Sequence, residues 1–306
     1  MTATTASSES LPLNSSSGPK QQGPVAEILS GMTKTLSGKI GITLLTLHLL
    51  VAALSPFIVP YDPLAQEVAL KLAPASSEHL MGNDNLGRDM LSRTMLGGRI
   101  ALGVTIVGTA MAIAWSSIMG MMLGLIGGWI DEAVMRVVDA IQAVPFLLFL
   151  LLIIAVLGNE IWILILTLGF FFGISPLRIF RNATLDFVAR DFLIAARARG
   201  ESLWTILRRE LLPNILDIVL VEGAMRWSWM LLIFSSLSFL GLGVAPPTPD
   251  WGLMILEGRK TNILINAPWV TFAPLIALST LIIAINLTAD ALAKATGLDR
   301  AQGAPV

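Results

Sequence analysis

The residues that most need a chemical explanation are Glu222 and Arg226, two ionisable side chains set four apart inside a long apolar run. That spacing places them on one face of a helix, within reach of each other. A charge near the centre of a bilayer costs roughly 2.5–3.5 kcal/mol on insertion scales, so such groups stand where a structural pair or a solute path needs them. Two readings are open: a mutual ion pair buried against a neighbouring helix, or a polar patch on a solute pathway. Other candidates carry less. His48 is a single polar group in the first apolar run, suited to facing a neighbouring helix, and His79 sits in a loop beside Glu78. Asp139 lies near Arg136, where it suits a structural or partner contact, and Asn286 with Asp290 closes the last apolar run as a helix-end polar cluster.

Classes of chemistry can also be set aside. No H-E-x-x-H, G-x-S-x-G or metal-ligand cluster occurs, and no groups pair at catalytic spacing, so neither an enzymatic role nor a metal site is expected. Gly38-Lys39 is followed by Ile40 where a phosphate-binding loop needs Ser or Thr, and Thr33 stands in place of its first glycine. This chain is therefore expected to bind no nucleotide itself. With no cysteine, disulfides, thiol catalysis and cysteine metal sites are excluded.

A second constellation spans residues 181–214, a polar interval between two apolar runs that carries Arg181, Arg190, Arg197, Arg199, Arg208 and Arg209. Its period is helical. Val188, Phe192 and Ala195 fall on one face, with Asp186, Arg190 and Arg197 on another. Gly200 interrupts, and a second amphipathic piece sets Leu203, Trp204, Leu207 and Leu211 opposite Glu201, Thr205 and Arg208. Leu212-Pro213 is expected to stop it, because proline has no amide to donate. Two short helices with an apolar stripe call for a partner protein to cover that stripe. Nucleic acid is a poor partner, since Asp186, Asp191, Glu201 and Glu210 are interleaved with the arginines.

The elements that hold these groups follow from composition. Of 306 residues, 55% are apolar and 13% charged, which is the balance of an integral membrane protein. A hydrocarbon core about 30 Å thick needs about 20 apolar residues per helix. Six stretches qualify: 40–59, 100–126, 137–157, 161–179, 215–240 and 269–289. Only Gly158-Asn159-Glu160 separates the third from the fourth, so those two are expected to form a tight antiparallel hairpin. With the N-terminus inside, the inner segments hold Lys20, Lys34, Lys39, Arg136, Arg178, Lys294, Arg300 and the six interval arginines, 13 basic residues against 6 in the outer segments (Lys71, Arg88, Arg93, Arg99, Arg259 and Lys260), with Arg226 inside a span. The excess of basic residues inside predicts cytoplasmic termini and a cytoplasmic Arg-rich interval.

The predicted organisation is a disordered N-terminal tail over 1–38, a first span over 39–60, an outer segment over 61–99 with an amphipathic surface helix from Leu86, a core over 100–293 and a tail over 294–306. The tail lacks the pattern of a signal peptide, so the first span is expected to stay as a helix. Glycines at 103, 108, 120, 124, 127 and 128 suit a second span packed at the centre of a bundle. The Pro246-Pro247-Thr248-Pro249 stretch reads as a rigid turn, with Trp251 as an interfacial anchor.

Several blocks together resemble one family. Ala195-Ala196, then Gly200, then a hydrophobic stretch ending in Leu212-Pro213 is similar to the EAA loop of bacterial ABC-importer permeases. GNDNLGRDMLSR (82–93), MRVVDAIQAVP (135–145), LSFLGLGVAPPTPDWG (237–252) and NLTAD (286–290) resemble the C-type inner-membrane subunit of dipeptide, oligopeptide and nickel importers. The resemblance runs in order from about 54 to 292. Ile194 departs from it, standing where the loop usually has glutamate. So does Asn83, where threonine is commoner, and so do Glu222 and Arg226, in a segment usually uncharged. The resemblance implies an all-α type I importer permease with six spans, forming half of a translocation path in the bacterial inner membrane. It implies a second, homologous permease subunit, two ATPase subunits that carry the ATP and Mg, and a periplasmic or lipid-anchored solute-binding protein. Ala195, Ala196, Gly200, Leu203, Trp204, Leu207, Leu212 and Pro213 would then couple to an ATPase. Peptides are the expected solutes, with nickel chelates, glutathione-like molecules and glycosides as alternatives. An ATP-independent carrier or a membrane-embedded enzyme are the rival classes.

Overall fold

The computed structural model describes residues 24–297, and regular structure among them is helical apart from one isolated bridge between Asn83 and Asp89. Helix α1 (Pro24–Met32) leads into α2 (Leu36–Ile58), whose first turn is capped by Thr35 Oγ1 accepting the Gly38 amide at 3.1 Å. The described part of the 1–38 tail is thus ordered as helix and turn, contrary to expectation. Residues 1–23 lie outside the described residues. The reason is packing: the position of a Cβ on Gly31 lies 2.9 Å from Ala295 Cβ, so α1 is seated closely on the last of the described helices.

The outer segment is irregular with a short 3₁₀ turn at Val68–Leu70, after which Asp89 caps α3 (Met90–Ile126) through the Ser92 amide at 2.8 Å. The expected surface helix is therefore the first part of one 37-residue helix that includes the second span. Arg88, Asp89 and Arg93, the charged side chains of this stretch, are 3%, 3% and 1% exposed, so the helix start is not a surface element. They are buried because charged partners from elsewhere cover them.

Helix α3 packs along α6 (Ile161–Val188) at close range. A Cβ on Gly120 would sit 2.6 Å from the Leu177 carbonyl oxygen, so a side chain there would force the helices apart. Gly103, by contrast, faces open space, and Gly127 and Gly128 adopt φ of 61° and 65° to break the helix.

The third expected span is not one helix. It divides into α4 (Gly128–Gln142) and α5 (Phe146–Leu157), bent by 85° at the break. Pro145 explains the break, since it lacks an amide and disfavours helical geometry in the residue before it. Helix α4 also carries Asp131, Glu132, Arg136 and Asp139, too many charges for an apolar span. Twelve residues of α5 cover only about 18 Å, less than a hydrocarbon core. The hairpin expectation survives in a shorter form: α5 turns at Gly158 (φ 94°) and runs back against α6 through Phe149–Phe171 and Phe146–Phe172.

After α6 come α7 (Asp191–Ala198), α8 (Leu203–Ile206), α9 (Leu212–Asn214) and α10 (Leu216–Phe239). The chain then forms α11 (Trp251–Gly258), α12 (Thr261–Asn266) and α13 (Trp269–Thr296). Among the described residues five helices, α2, α3, α6, α10 and α13, are long and apolar enough to cross a membrane, and the bent α4–α5 pair makes six if counted as one span. Leu102, Leu164, Leu168, Met230, Phe234 and Leu281 from four of them form the centre of the core. Trp251 is buried within it, 2% exposed, with its indole N–H donated to the Thr94 carbonyl at 2.8 Å, so it is a core residue and not an interfacial anchor.

Candidate functional site

The Arg-rich interval folds into a rigid elbow. Helix α7 ends in a turn in which the Gly200 amide bonds the Arg197 carbonyl at 3.0 Å and the Glu201 amide reaches back to Ala196 at 3.2 Å. That reach across five residues is a Schellman-type closure, and it places Gly200 at φ +72°. Ser202 then caps α8 by accepting the Thr205 amide at 3.2 Å. Residues Leu207–Leu211 widen into a π turn, and the helical path continues through Pro213 to Asn214. The expected stop at Leu212-Pro213 is thus displaced to Ile215. Widening shifts the acceptors by one residue, with the Leu212 amide bonding the Leu207 carbonyl, and the path continues through Pro213, which has no amide to donate.

The apolar residues of the elbow do not form one stripe. Leu193, Ala196, Ile206, Leu207 and Leu211 are 0–2% exposed and pack with Met121 and Leu125 of α3 and Phe180 and Ala183 of α6. Arg197 adds a hydrogen bond to the Leu125 carbonyl at 2.9 Å. Exposed are Ala195, Ile194, Leu203 and Trp204, the last three at 54%, 45% and 56%. Of the coupling residues read from the sequence, Ala195, Gly200, Leu203, Trp204 and Pro213 lie outside, Ala196 and Leu207 inside, and Leu212 between. Leu203 and Trp204 therefore part company with Leu207 and Leu211, because the end of α3 claims the second pair.

Glu222 and Arg226 form the pair the spacing predicts, with Arg226 Nε 3.2 Å from Glu222 Oε2. Helix α10 is held in rotation by the Trp227 indole N–H, donated to Thr105 Oγ1 at 3.0 Å. This turns Arg226, Trp229 and Ile233 toward a cavity of about 540 Å³ between α10, α6 and the α4–α5 break. Phe146, Phe149, Phe171 and Phe172 supply most of the rest of its wall.

The lesser candidates find local partners. His48 Nε2 meets Thr280 Oγ1 of α13 at 3.0 Å, and Asp139 pairs with Arg178, while Arg136 takes Glu132 at 2.6 Å. Asp290 pairs with Lys294 at 2.6 Å and Asn286 is exposed. His79 is not isolated: its Nδ1 lies 2.9 Å from Asp89 Oδ1. Sequence reasoning missed the cluster beside it. Arg88 meets Asp84 at 2.6 Å and Glu257 at 3.0 Å, and Arg93 lies 3.4 Å and 3.6 Å from the same two carboxylates. Asp84 to Arg93 was visible as a charged block, but Glu257 on α11 carries no local signal that links it to them.

With this geometry in place, comparison with known proteins defines the class. Residues 116–297 match the family of binding-protein-dependent transport system inner membrane components, and the chain belongs to that family. It is similar, at 33% identity over 277 residues, to a protein of Brucella suis biovar 1 provisionally named a peptide permease; the match covers 90% of this chain and 92% of the relative. A second protein of that organism, provisionally named a peptide transport system permease, is 34% identical over 88% of this chain and 90% of its own length. A glutathione transport system permease protein of Pectobacterium atrosepticum is 34% identical over 72% of each chain. The chain is thus an all-helical, multi-pass membrane permease subunit of a binding-protein-dependent importer.

Proposed function

We propose that this chain is one of two related permease subunits of an ATP-driven importer, and that its solutes are peptides. The names of the Brucella relatives support the solute class, and the glutathione permease supports a small peptide-like solute within it. Two ATPase subunits would hold ATP and Mg, this chain would bind no cofactor of its own, and a periplasmic or lipid-anchored binding protein would deliver the solute. The basic excess on the elbow and tails supports a cytoplasmic location for both.

The observation that carries the reading is the split of the elbow into a locked inner face and an uncovered outer one. Ile194, Ala195, Leu203 and Trp204 are apolar and exposed, and Trp204 stands at the rim of a cavity shared with Ala114, Ser117 and Ile118 of α3. Exposed apolar patches of this kind mark protein–protein contacts. The inner face ties the elbow to α3 and α6, so a push on it would move those helices as one body. ATP binding would close the ATPases, displace the elbow and switch the bundle between inward-open and outward-open forms.

The test is Trp204→Glu in the co-expressed complex. The variant is expected to insert and to pair with the second permease, but to lose co-purification of the ATPase by tenfold or more, as loss of an aromatic anchor implies. Normal ATPase recovery with Trp204→Glu would refute the docking face.

A further inference from the structure

We infer that the cavity beside Arg226 is a carboxylate-binding subsite of the solute path, with the Arg226 guanidinium as its anion-binding group. The inference rests on the importer reading above and adds the chemical class of the group recognised. Helix α10 begins at Leu216, so Arg226 lies about 15 Å along it, near the middle of a 24-residue helix long enough to cross a membrane. From that depth its head group cannot reach either aqueous face by extending along the helix, as basic residues near helix ends do.

The local hydrogen bonding leaves the guanidinium incompletely used. Glu222 occupies its Nε edge at 3.2 Å, one of five N–H donors, and among the described residues no acceptor meets its terminal nitrogens. The side chain is 24% exposed, and the surface it exposes lines the 540 Å³ cavity. A pair serving structure alone would be sealed against its neighbour. Arg226 is the charged member of that lining, and no carboxylate is among the lining residues. A cation in an aromatic-walled cavity selects an anion, and the planar fork of a guanidinium matches a carboxylate through two parallel bonds.

The remaining wall specifies what is attached to that carboxylate. Phe146, Phe149, Phe171 and Trp229 offer apolar faces, with Gln142 and Ser175 as further polar side chains. The volume falls within the range of about 300–1,000 Å³ typical of small-molecule sites. The fitting occupant is a solute with a free carboxylate next to an apolar group, as at the C-terminus of a short peptide.

The test uses the assembled importer in lipid nanodiscs without its binding protein, probed by equilibrium dialysis with radiolabelled Ala-Phe and its C-terminal amide. The free acid is expected to bind about tenfold or more tightly than the amide, in keeping with a charged hydrogen-bonded pair. Arg226→Gln should abolish that preference, and Arg226→Lys should retain part of it. Because Arg226→Gln strands Glu222, the neutral pair Glu222→Gln/Arg226→Gln is measured as well. Loss of acid preference in an assembled neutral pair supports the subsite, and a preserved preference overturns it. Binding of neither probe by the parent also overturns it, since a side chain of the second permease would then fill the cavity. ATPase stimulation by the loaded binding protein, measured on the same particles, reads the importer assignment separately. Its failure alongside an Arg226-dependent acid preference would remove the importer reading and leave the subsite.

Discussion

Gly200 owes its place to backbone geometry and not to crowding. At φ +72° an L residue is strained by about 1–2 kcal/mol, while a Cβ there would meet no atom within 4 Å. Gly200→Ala should therefore lower the thermal stability of the purified assembly by about that much, and Gly200→Asn by less, because asparagine tolerates the left-handed region. Equal losses for both would point to a steric cause. Asp250 makes a second prediction at this scale. It caps α11 through the Leu253 amide at 3.1 Å, yet it is fully buried, and burial pushes its carboxyl up from 3.8 to about 6 against the opposing pull of that amide. A carboxyl raised in the folded state contributes its stability below about pH 3.8 and loses it as pH rises through about 6, a change on the order of 3 kcal/mol. Thermal unfolding followed from pH 4 to 7 should show this fall in the parent and not in Asp250→Asn. Identical slopes would remove Asp250 as the source.

At the scale of elements, the charged cluster fastens the outer segment to the start of α3 and to α11. Asp84 is 1% exposed and faces both Arg88 and Arg93, so Asp84→Ala leaves two buried cations with Glu257 alone. Removing one partner of such a pair costs about 3–5 kcal/mol, which melting of the purified assembly would register. A loss under about 1 kcal/mol would show the cluster to be hydrated and slack. What the sequence revealed here depended on range. Continuous apolar runs disclosed α2, α3, α6, α10 and α13, because lipid demands local backbone satisfaction and so leaves a local signature. Pro145 and the charges of α4 also announced a break, but total apolar content outweighed them when the stretch was read as one span. Glu257 had no such signature, since its partners lie more than 160 positions away. In the elbow, Gly200 marked the turn plainly, whereas the choice of Leu207 over Leu203 for burial is made by Met121 and Leu125 on another helix.

For the whole molecule, orientation is the first matter to test, because the coupling scheme depends on it. The chain has no native cysteine, so single cysteines report without background. Ser202→Cys on the exposed elbow turn should react with impermeant maleimide only in inside-out vesicles, and Thr248→Cys only in right-side-out ones. The reverse pattern would place the elbow outside and end the ATPase assignment. The central claim, that the elbow converts ATPase closure into movement of the α3–α6 pair, is met most directly in proteoliposomes holding both permeases, the ATPases and the binding protein. Peptide uptake and ATP hydrolysis are followed together in the parent and in Gly200→Trp, whose bulk projects from the turn into the space where the ATPase would sit. The account predicts ATP-dependent uptake by the parent, and in the variant at least a tenfold drop in peptides carried per ATP hydrolysed, with assembly unchanged. Uptake per ATP equal to the parent's would contradict it.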